Sequence, residues 1–254
     1  MIFDTHAHLN DEKFDDDRNE VIQKIKDSKT SLVLNCGCDE KTSYECVALA
    51  KENEFMYAAV GVHPHDADTY TDELELKLIE MTKEEKVVAI GEIGLDYYYD
   101  FSDRKTQMEV FIRQIELASR LNLPFIIHSR DASQDTLDTL KAHLGGNRCV
   151  LHSYSQSLEM MKEYLKLDTY FSFSGTVTFK NAHSIKEVAK IVPMDRFFVE
   201  TDSPYLTPVP FRGKRNDSSY VEHTARTIAE LKGISFEEVC KASMENGKRF
   251  FGIS

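Results

Sequence analysis

Tryptophan is absent from the sequence, glycine and proline are sparse, and nowhere do about 18 apolar residues run together. The 11 glycines and 6 prolines among 254 residues exclude collagen-like repeats and low-complexity linkers. Without a long apolar run, no membrane-spanning helix is predicted. The N-terminal segment MIFDTHAHLN carries neither a basic leader nor an apolar stretch of signal-peptide length, so we predict a cytoplasmic protein.

Cysteines are few and scattered. They are Cys36, Cys38, Cys46, Cys149 and Cys240. An odd number at irregular spacing, in a chain without an export signal, predicts no disulfide framework. Cys36 and Cys38 form a C-x-C pair, but no second thiol pair lies nearby, so we interpret both as small buried residues rather than zinc ligands.

The chain has fewer basic residues than acidic ones. Asp and Glu number 43 against 31 Lys and Arg, which gives a formal net charge of −12. Such a surface repels a polyanion at long range and excludes broad coating of duplex DNA. A nuclease is still possible, because metal ions and a few local cations can neutralise one phosphate on an acidic protein.

Short apolar runs alternate with longer helical stretches throughout the chain. Strands are predicted near Ile2–Thr5, Ser31–Asn35, Met56–Val62, Val87–Glu92, Pro124–His128, Cys149–His152, Tyr170–Ser174 and Phe197–Glu200. Helices are predicted near Arg18–Ser28, Lys41–Glu52, Asp72–Met81, Arg104–Leu121, Ala132–Leu144, Leu158–Leu167, Ser184–Ile191, Ser219–Lys232 and Ser235–Phe251. Eight strand–helix units in this length favour an α/β fold of the (β/α)₈ TIM-type barrel class, one domain over residues 1–254, rather than a doubly wound sheet.

Histidines and acids follow the apolar runs. The first strand carries His6 and His8, and because residues two apart on a strand share a face, both imidazoles can reach one ion. The other four ligand-type residues at strand ends are Glu92, His128, His152 and Asp202. Each alone has an ordinary structural interpretation, but together they converge on the carboxyl-end mouth of a barrel, where barrel enzymes place catalytic groups.

Four histidines and two acids exceed one tetrahedral shell, so two divalent ions bridged by a carboxylate are predicted. The ligand types suit Zn²⁺, Mn²⁺, Ni²⁺ or Co²⁺, and with added waters Mg²⁺. Glu92, central in strand order, is the candidate bridge. Asp202 is the candidate that also accepts the proton of the attacking water.

Five motifs occur in order: DTHAHL at the start, GVHPH at 61–65, GEIGLD at 91–96, IIHSRDA at 126–132 and ETDSPYL at 200–206. With them the chain resembles the TatD family of metal-dependent deoxyribonucleases, a branch of the amidohydrolase superfamily, over nearly its whole length. The resemblance implies one metal at His6, His8 and Asp202. It implies a second at His128 and His152, with Glu92 as the bridge between them.

The resemblance also implies a substrate-binding rim. His63 and His65 of the HPH turn lie there, where they could meet phosphate or support the metal ligands, although an ordinary polar turn is the alternative. Arg130, and Arg212 with Lys214 and Arg215, could hold phosphate oxygens. Exposed rings that could stack on unpaired bases are Tyr97, Tyr98, Tyr99, Phe173 and Phe179, with core packing as the alternative for each.

The family resemblance implies a hydrolase of DNA, with RNA also possible, acting as a 3′–5′ exonuclease on single strands with Mg, Mn or Zn. An amide or carboxyl ester hydrolase of the same superfamily is the alternative, but many such relatives bridge their metals with a modified lysine where this chain has Glu92, and Lys86 lies before the strand. A non-catalytic, metal-stabilised scaffold is the third hypothesis. No membrane or obligate protein partner is indicated.

Overall fold

The computed structural model describes residues Met1–Ile253. Eight parallel strands form one sheet in chain order, β1 to β8, and the sheet curls into a nearly closed barrel with helices between the strands. The strands are β1 Ile2–Ala7, β2 Thr30–Cys36, β3 Met56–Val60, β4 Val87–Asp96, β5 Phe125–Arg130, β6 Cys149–Leu151, β7 Tyr170–Phe173 and β8 Phe197–Val199. The predicted (β/α)₈ TIM-type fold is therefore confirmed.

The helices follow the predicted pattern closely. Their bounds are α1 Arg18–Lys26, α2 Glu40–Glu52, α3 Asp72–Met81, α4 Arg104–Leu121, α5 Ser133–His143, α6 Leu158–Leu165, α7 His183–Ile191, α8 Val221–Lys232 and α9 Phe236–Phe251. Short 3₁₀ helices occupy Glu12–Phe14, Pro64–Thr69, Gly175–Thr178 and Ser218–Tyr220. None of the helices within Met1–Ile253 is both long and apolar enough to cross a membrane.

Helix α4 shows how local sequence sets an element. The Asp103 side chain accepts hydrogen bonds from the amides of Lys105 and Thr106 and caps the start of the helix. Asn122 ends it in the left-handed conformation, at φ 54°. Phe111, Ile115 and Ala118 of its apolar stripe are fully buried. Both ends match the prediction because cap and periodicity agree.

Strand β4 runs four residues beyond its predicted end at Glu92. The extension stays paired with β5, where Gly94 is opposite His128 and Asp96 is opposite Arg130. At Gly94, with φ +142°, a Cβ would lie 2.0 Å from the carbonyl oxygen of His128. Only glycine permits this close approach of the two strands. The added length carries Asp96 to the strand end.

Residue contacts divide the chain into two compact units. The first comprises Met1–Asn35, His152–Lys162 and the chain from Tyr170 onward. Within it β1 contacts the segment after β8: Ala7 bridges Ser203, and the buried Asp4 carboxylate accepts hydrogen bonds from the Thr201 amide and hydroxyl, at 2.8 and 2.6 Å. An aromatic cluster packs α9 onto these strands. Its members are Phe3, Tyr170, Phe198, Phe250 and Phe251.

The second unit comprises Cys36–Leu151 and Glu163–Thr169. Two buried glutamines of α4 fasten this helix to the chain above the strands. Gln114 pairs with both backbone groups of Val62, at 2.8 and 2.9 Å. Gln107 accepts a hydrogen bond from the Asp96 amide and donates to the Asp96 carbonyl. These amides hold the ends of β3 and β4 in position.

All five cysteines of the chain are free thiols.

We predict that Phe250→Ala lowers the free energy of unfolding by about 3–5 kcal/mol, because it empties the centre of the aromatic cluster. Urea denaturation followed by circular dichroism measures the change. The control is Leu76→Ala on α3, where 67% of the side chain is exposed. The control should stay within about 0.5 kcal/mol of the wild type. Equal effects from the two variants would contradict the packing described.

Candidate metal centre

In the first unit, β1 and the segment after β8 bring three ligand-type side chains together. His6 Nε2 lies 3.1 Å from His8 Nε2. Asp202 Oδ1 lies 3.3 Å from His8 Nε2 and 3.7 Å from His6 Nε2. The amide of Asp202 donates to the carbonyl of His6 at 2.9 Å, so the pairing of backbones sets the position of the carboxylate. The predicted H-x-H pair thus shares one site with Asp202.

His152, directly after β6, joins the same group. Its ring stacks on His6 with centroids 4.1 Å apart and planes 15° apart. His6, His152 and Asp202 each offer a ligand atom within 4.8 Å of the others. The resemblance predicts that His152 shares an ion with His128. Within the first unit, His152 lies against the face of the His6 imidazole, and its sharing of an ion with His128 stays a prediction.

A buried acid that the sequence analysis missed lies behind His152. Glu200 Oε1 accepts a hydrogen bond from the Ser153 amide at 2.7 Å and lies 3.4 Å from His152 Nδ1. Its other oxygen, Oε2, is buried without a hydrogen-bond partner. A carboxylate beside a histidine orients the ring and raises its basicity. The position two residues before Asp202 in the ETD motif could have indicated this role.

Asp202 and Asp4 have opposite electrostatic environments. Burial raises the pKa of Asp202, but the neighbouring His8, His152 and His6 lower it further, and the resulting pKa is below the ordinary value. Burial raises the pKa of Asp4 to about 7, against the lowering effect of the hydrogen bonds from Thr201. Asp202 is therefore ionised and suited to bind a cation. Asp4 is a structural acid beneath the site.

In the second unit, β4, β5 and the turn after β3 form another group. His128 Nδ1 lies 2.9 Å from Glu92 Oε1, and His63 Nε2 lies 3.7 Å from the same oxygen. All three side chains offer ligand atoms within 4.8 Å of one another. His63, predicted for the substrate rim, thus lies among ligand-type groups. Its ring also accepts a hydrogen bond from the His65 amide at 3.2 Å, which fixes the HPH turn.

Asp96 is the second residue that the sequence analysis missed. Its Oδ2 lies 3.0 Å from His65 Nε2 and 2.9 Å from His128 Nε2. Burial raises its pKa, but the hydrogen bonds with His128 and His65 lower it further, so that the pKa is well below its usual range. Residues four apart on a strand share a face, so the spacing from Glu92 in GEIGLD was the available indication.

The donor set fits divalent cations. Ligand atoms about 2.1 Å from a tetrahedral ion lie about 3.4 Å from one another. The distances among His6, His8 and Asp202 span 3.1 to 3.7 Å, close to that value. Two neutral imidazole nitrogens at such a distance stabilise each other little unless a proton or a cation lies between them. Imidazole and carboxylate ligands suit Zn²⁺, Mn²⁺ and related ions.

The predicted rim residues differ in their environments. Arg130 is exposed, with its guanidinium 4.1 Å from the Tyr98 ring centroid. Arg212 is exposed and lies over the Phe179 ring at 4.4 Å. Arg215 instead pairs with Asp17 at 2.5 Å. That ion pair directs its guanidinium toward the α1 side, so the structure does not support its prediction as a free phosphate ligand.

One predicted stacking ring is excluded. Phe173, the last residue of β7, is 1% exposed and belongs to the core, because its strand is buried on both faces. Tyr98 and Tyr99 are exposed, as base stacking requires. Phe101, which the sequence analysis did not single out, is also exposed.

Comparisons with known proteins show the family of this chain. A family model described as TatD related DNase matches residues 3–252. The chain is 48% identical to YabD of Bacillus subtilis, covering 100% of both proteins, and 38% identical to YcfH of Escherichia coli, covering 100% of this chain and 96% of that one. Both relatives are described as uncharacterized metal-dependent hydrolases. The crystal structure of YjjV, a TatD homolog from Escherichia coli, superposes with a TM-score of 0.93 at 27% identity, covering 100% and 98% of the two chains. This chain therefore belongs to the TatD family of metal-dependent hydrolases.

Proposed function

We propose that this hydrolase is a deoxyribonuclease that cleaves phosphodiester bonds of single-stranded DNA from the 3′ end. One observation carries the proposal. Two groups of buried imidazoles and carboxylates, His6–His152–Asp202 and His63–Glu92–His128, stand at strand ends of a barrel whose family model is described as TatD related DNase. Barrel enzymes place their catalytic groups at this end of the strands.

We propose that the two groups hold a pair of divalent ions, with Glu92 as the shared ligand. The support is topological. The strands that carry these residues belong to one eight-stranded sheet in the order β1 to β8, and barrel enzymes build their sites at the carboxyl ends of such strands. Glu92 extends from β4 near the middle of the strand order. Bound ions supply an activated water and charge stabilisation at the attacked phosphorus.

Asp202 is the proposed proton acceptor for the attacking water. Its carboxylate is held by backbone pairing with His6 and flanked by His8. It is ionised at neutral pH and 15% exposed at the side chain, so water can reach it. His8 and His6 limit its rotation and direct one oxygen toward the ligand group. Geometry and charge thus suit a base that also binds metal.

Substrate phosphates would meet cations and imidazoles at the rim. His65 contacts Asp96, and a quarter of the His65 side chain is exposed to solvent. Arg130 and Arg212 are exposed, and each guanidinium lies over an aromatic ring. A guanidinium can grip two oxygens of one phosphate. A few fixed cations of this kind offset the acidic surface locally.

We predict that Asp202→Asn and His128→Ala each reduce cleavage of end-labelled single-stranded DNA by at least 1,000-fold (on the order of one lost catalytic group). The assay uses metal-stripped protein with Mg²⁺, Mn²⁺ and Zn²⁺ added back separately. The circular dichroism spectrum should be unchanged, and isothermal titration should show weaker metal binding. The control is His143→Ala on α5, a histidine outside both groups.

Metal-dependent shortening that the two variants lose would support the nuclease, and the position of the label reports polarity. Normal turnover by Asp202→Asn would contradict its assignment. Failure of the wild type to cleave DNA with any of the ions would overturn the nuclease and favour an amide or carboxyl ester substrate.

We predict that Arg212→Ala combined with Lys214→Ala weakens cleavage of a polynucleotide more than cleavage of a small phosphodiester dye. The reason is that the loop contacts phosphates beyond the scissile one, and the difference should shrink as salt rises. The measurement is kcat/KM on both substrates across a salt series. Lys105→Ala combined with Lys241→Ala, two exposed cations on outer helices, is the charge-matched control. Equal losses on both substrates at every salt concentration would exclude the loop from the polymer path.

A further inference from the structure

Three aromatic rings lie exposed on the loop after β4. The side chains of Tyr98, Tyr99 and Phe101 are 58%, 47% and 69% exposed. Tyr99 and Phe101 stack with centroids 5.3 Å apart and planes 27° apart, and Tyr98 meets Tyr99 edge-on at 4.9 Å. Apolar rings grouped in water are costly unless a partner covers them. We call the rings of Tyr98, Tyr99 and Phe101 the aromatic rim.

Hydrogen bonds anchor the backbone that carries the aromatic rim. The amides of Tyr98 and Tyr99 both donate to Asp96 Oδ1, at 3.0 and 2.9 Å. Past the rings, Gln107 donates to the Ser102 carbonyl at 2.9 Å, which closes the loop against α4. These hydrogen bonds hold the backbone from which the rings project. A preorganised surface loses little conformational entropy when it binds.

The aromatic rim adjoins the candidate metal centre through His65. The His65 ring lies 5.3 Å from Tyr99 and 4.8 Å from Phe101. Asp96 joins the two features, because one of its oxygens holds the loop amides and the other holds His65 and His128. A planar group resting on the rings would thus lie a few ångströms from the imidazoles. That is about the separation between a base and its own phosphate.

A cation completes the surface. The Arg130 guanidinium lies 4.1 Å from the Tyr98 ring centroid and 4.9 Å from that of Tyr99. A guanidinium fixed over rings binds phosphate and also stacks on flat π systems. Flat apolar faces, an adjacent cation and a nearby hydrolytic centre match a nucleotide. They match an apolar protein surface less well, since a protein partner does not require a fixed guanidinium beside a catalytic group.

We propose that the aromatic rim and Arg130 form a stacking subsite for one unpaired nucleobase next to the scissile phosphate. This inference rests on the proposed nuclease function and deepens it, because it names the structural feature that selects single strands. A base within a duplex has both faces covered and cannot stack on the rim. Stacking on a ring face is tolerant of base identity, so the subsite selects an unpaired end rather than a sequence.

The first test measures binding without turnover. Metal-loaded protein is titrated with a single-stranded oligonucleotide that carries 2-aminopurine at its 3′ end and phosphorothioate linkages against cleavage. Stacking on the rim should quench the fluorescence of the base. Phe101→Ala should weaken binding roughly 5- to 100-fold and lose the quench, whereas Phe101→Tyr should keep both. Tyr44→Ala, which removes a 49% exposed ring from α2, is the matched control and should behave as the wild type.

The second test measures cleavage of oligonucleotides that end either in a normal nucleotide or in an abasic one. Phe101→Ala and Tyr98→Ala should lose at least fivefold more kcat/KM on the normal end than on the abasic end. Equal losses on the two ends, or a quench unchanged by Phe101→Ala, would overturn the stacking subsite. If the wild type cleaves DNA with no dependence on Phe101, the nuclease is supported and the subsite fails. If the quench depends on Phe101 but no metal gives cleavage, the subsite is supported and the nuclease fails.

Discussion

The burial of ionisable side chains at the ends of apolar strands is the constraint on which this molecule depends. Charge in a low-dielectric environment is costly unless it is paired, hydrogen-bonded or metal-bound. Asp202 and Glu92 meet this requirement with imidazoles at 3.3 and 2.9 Å. A carboxylate facing several histidines satisfies the constraint, and the same side chains form groups that could hold a metal ion.

Two further acids, Asp96 and Glu200, contact both the histidines of the site and neighbouring backbone amides. Asp96 binds two imidazoles with one oxygen and two backbone amides of the following loop with the other. Glu200 lies beside His152 and holds the Ser153 amide. Asp96 couples two histidines to the loop after β4, and Glu200 couples His152 to the backbone after β6. Loop geometry and ligand geometry cannot change independently, which is what a preorganised site requires.

The fold was largely predictable because its determinants are local. Alternating apolar runs and helical periodicity fall within single elements, and caps such as Asp103 mark a helix end by their own hydrogen bonds. The error at β4 has a physical cause. Gly91 and Gly94 interrupt the apolar pattern, yet they are needed where neighbouring strands approach closely, so the pairing with β5 and not the pattern sets the strand's end.

The sequence by itself determined the barrel, the family and the six ligand-type positions at strand ends, since these follow from periodicity and from motifs read one element at a time. Only the tertiary structure decided which side chains meet. Stacking on His6 placed His152 beside Asp202, and the length of β4 placed Asp96 against His65. Arg215 forms an ion pair with Asp17, and Phe173 is buried in the core, so neither is placed as the sequence suggested. Such outcomes depend on distances between elements far apart in sequence, which no local pattern encodes.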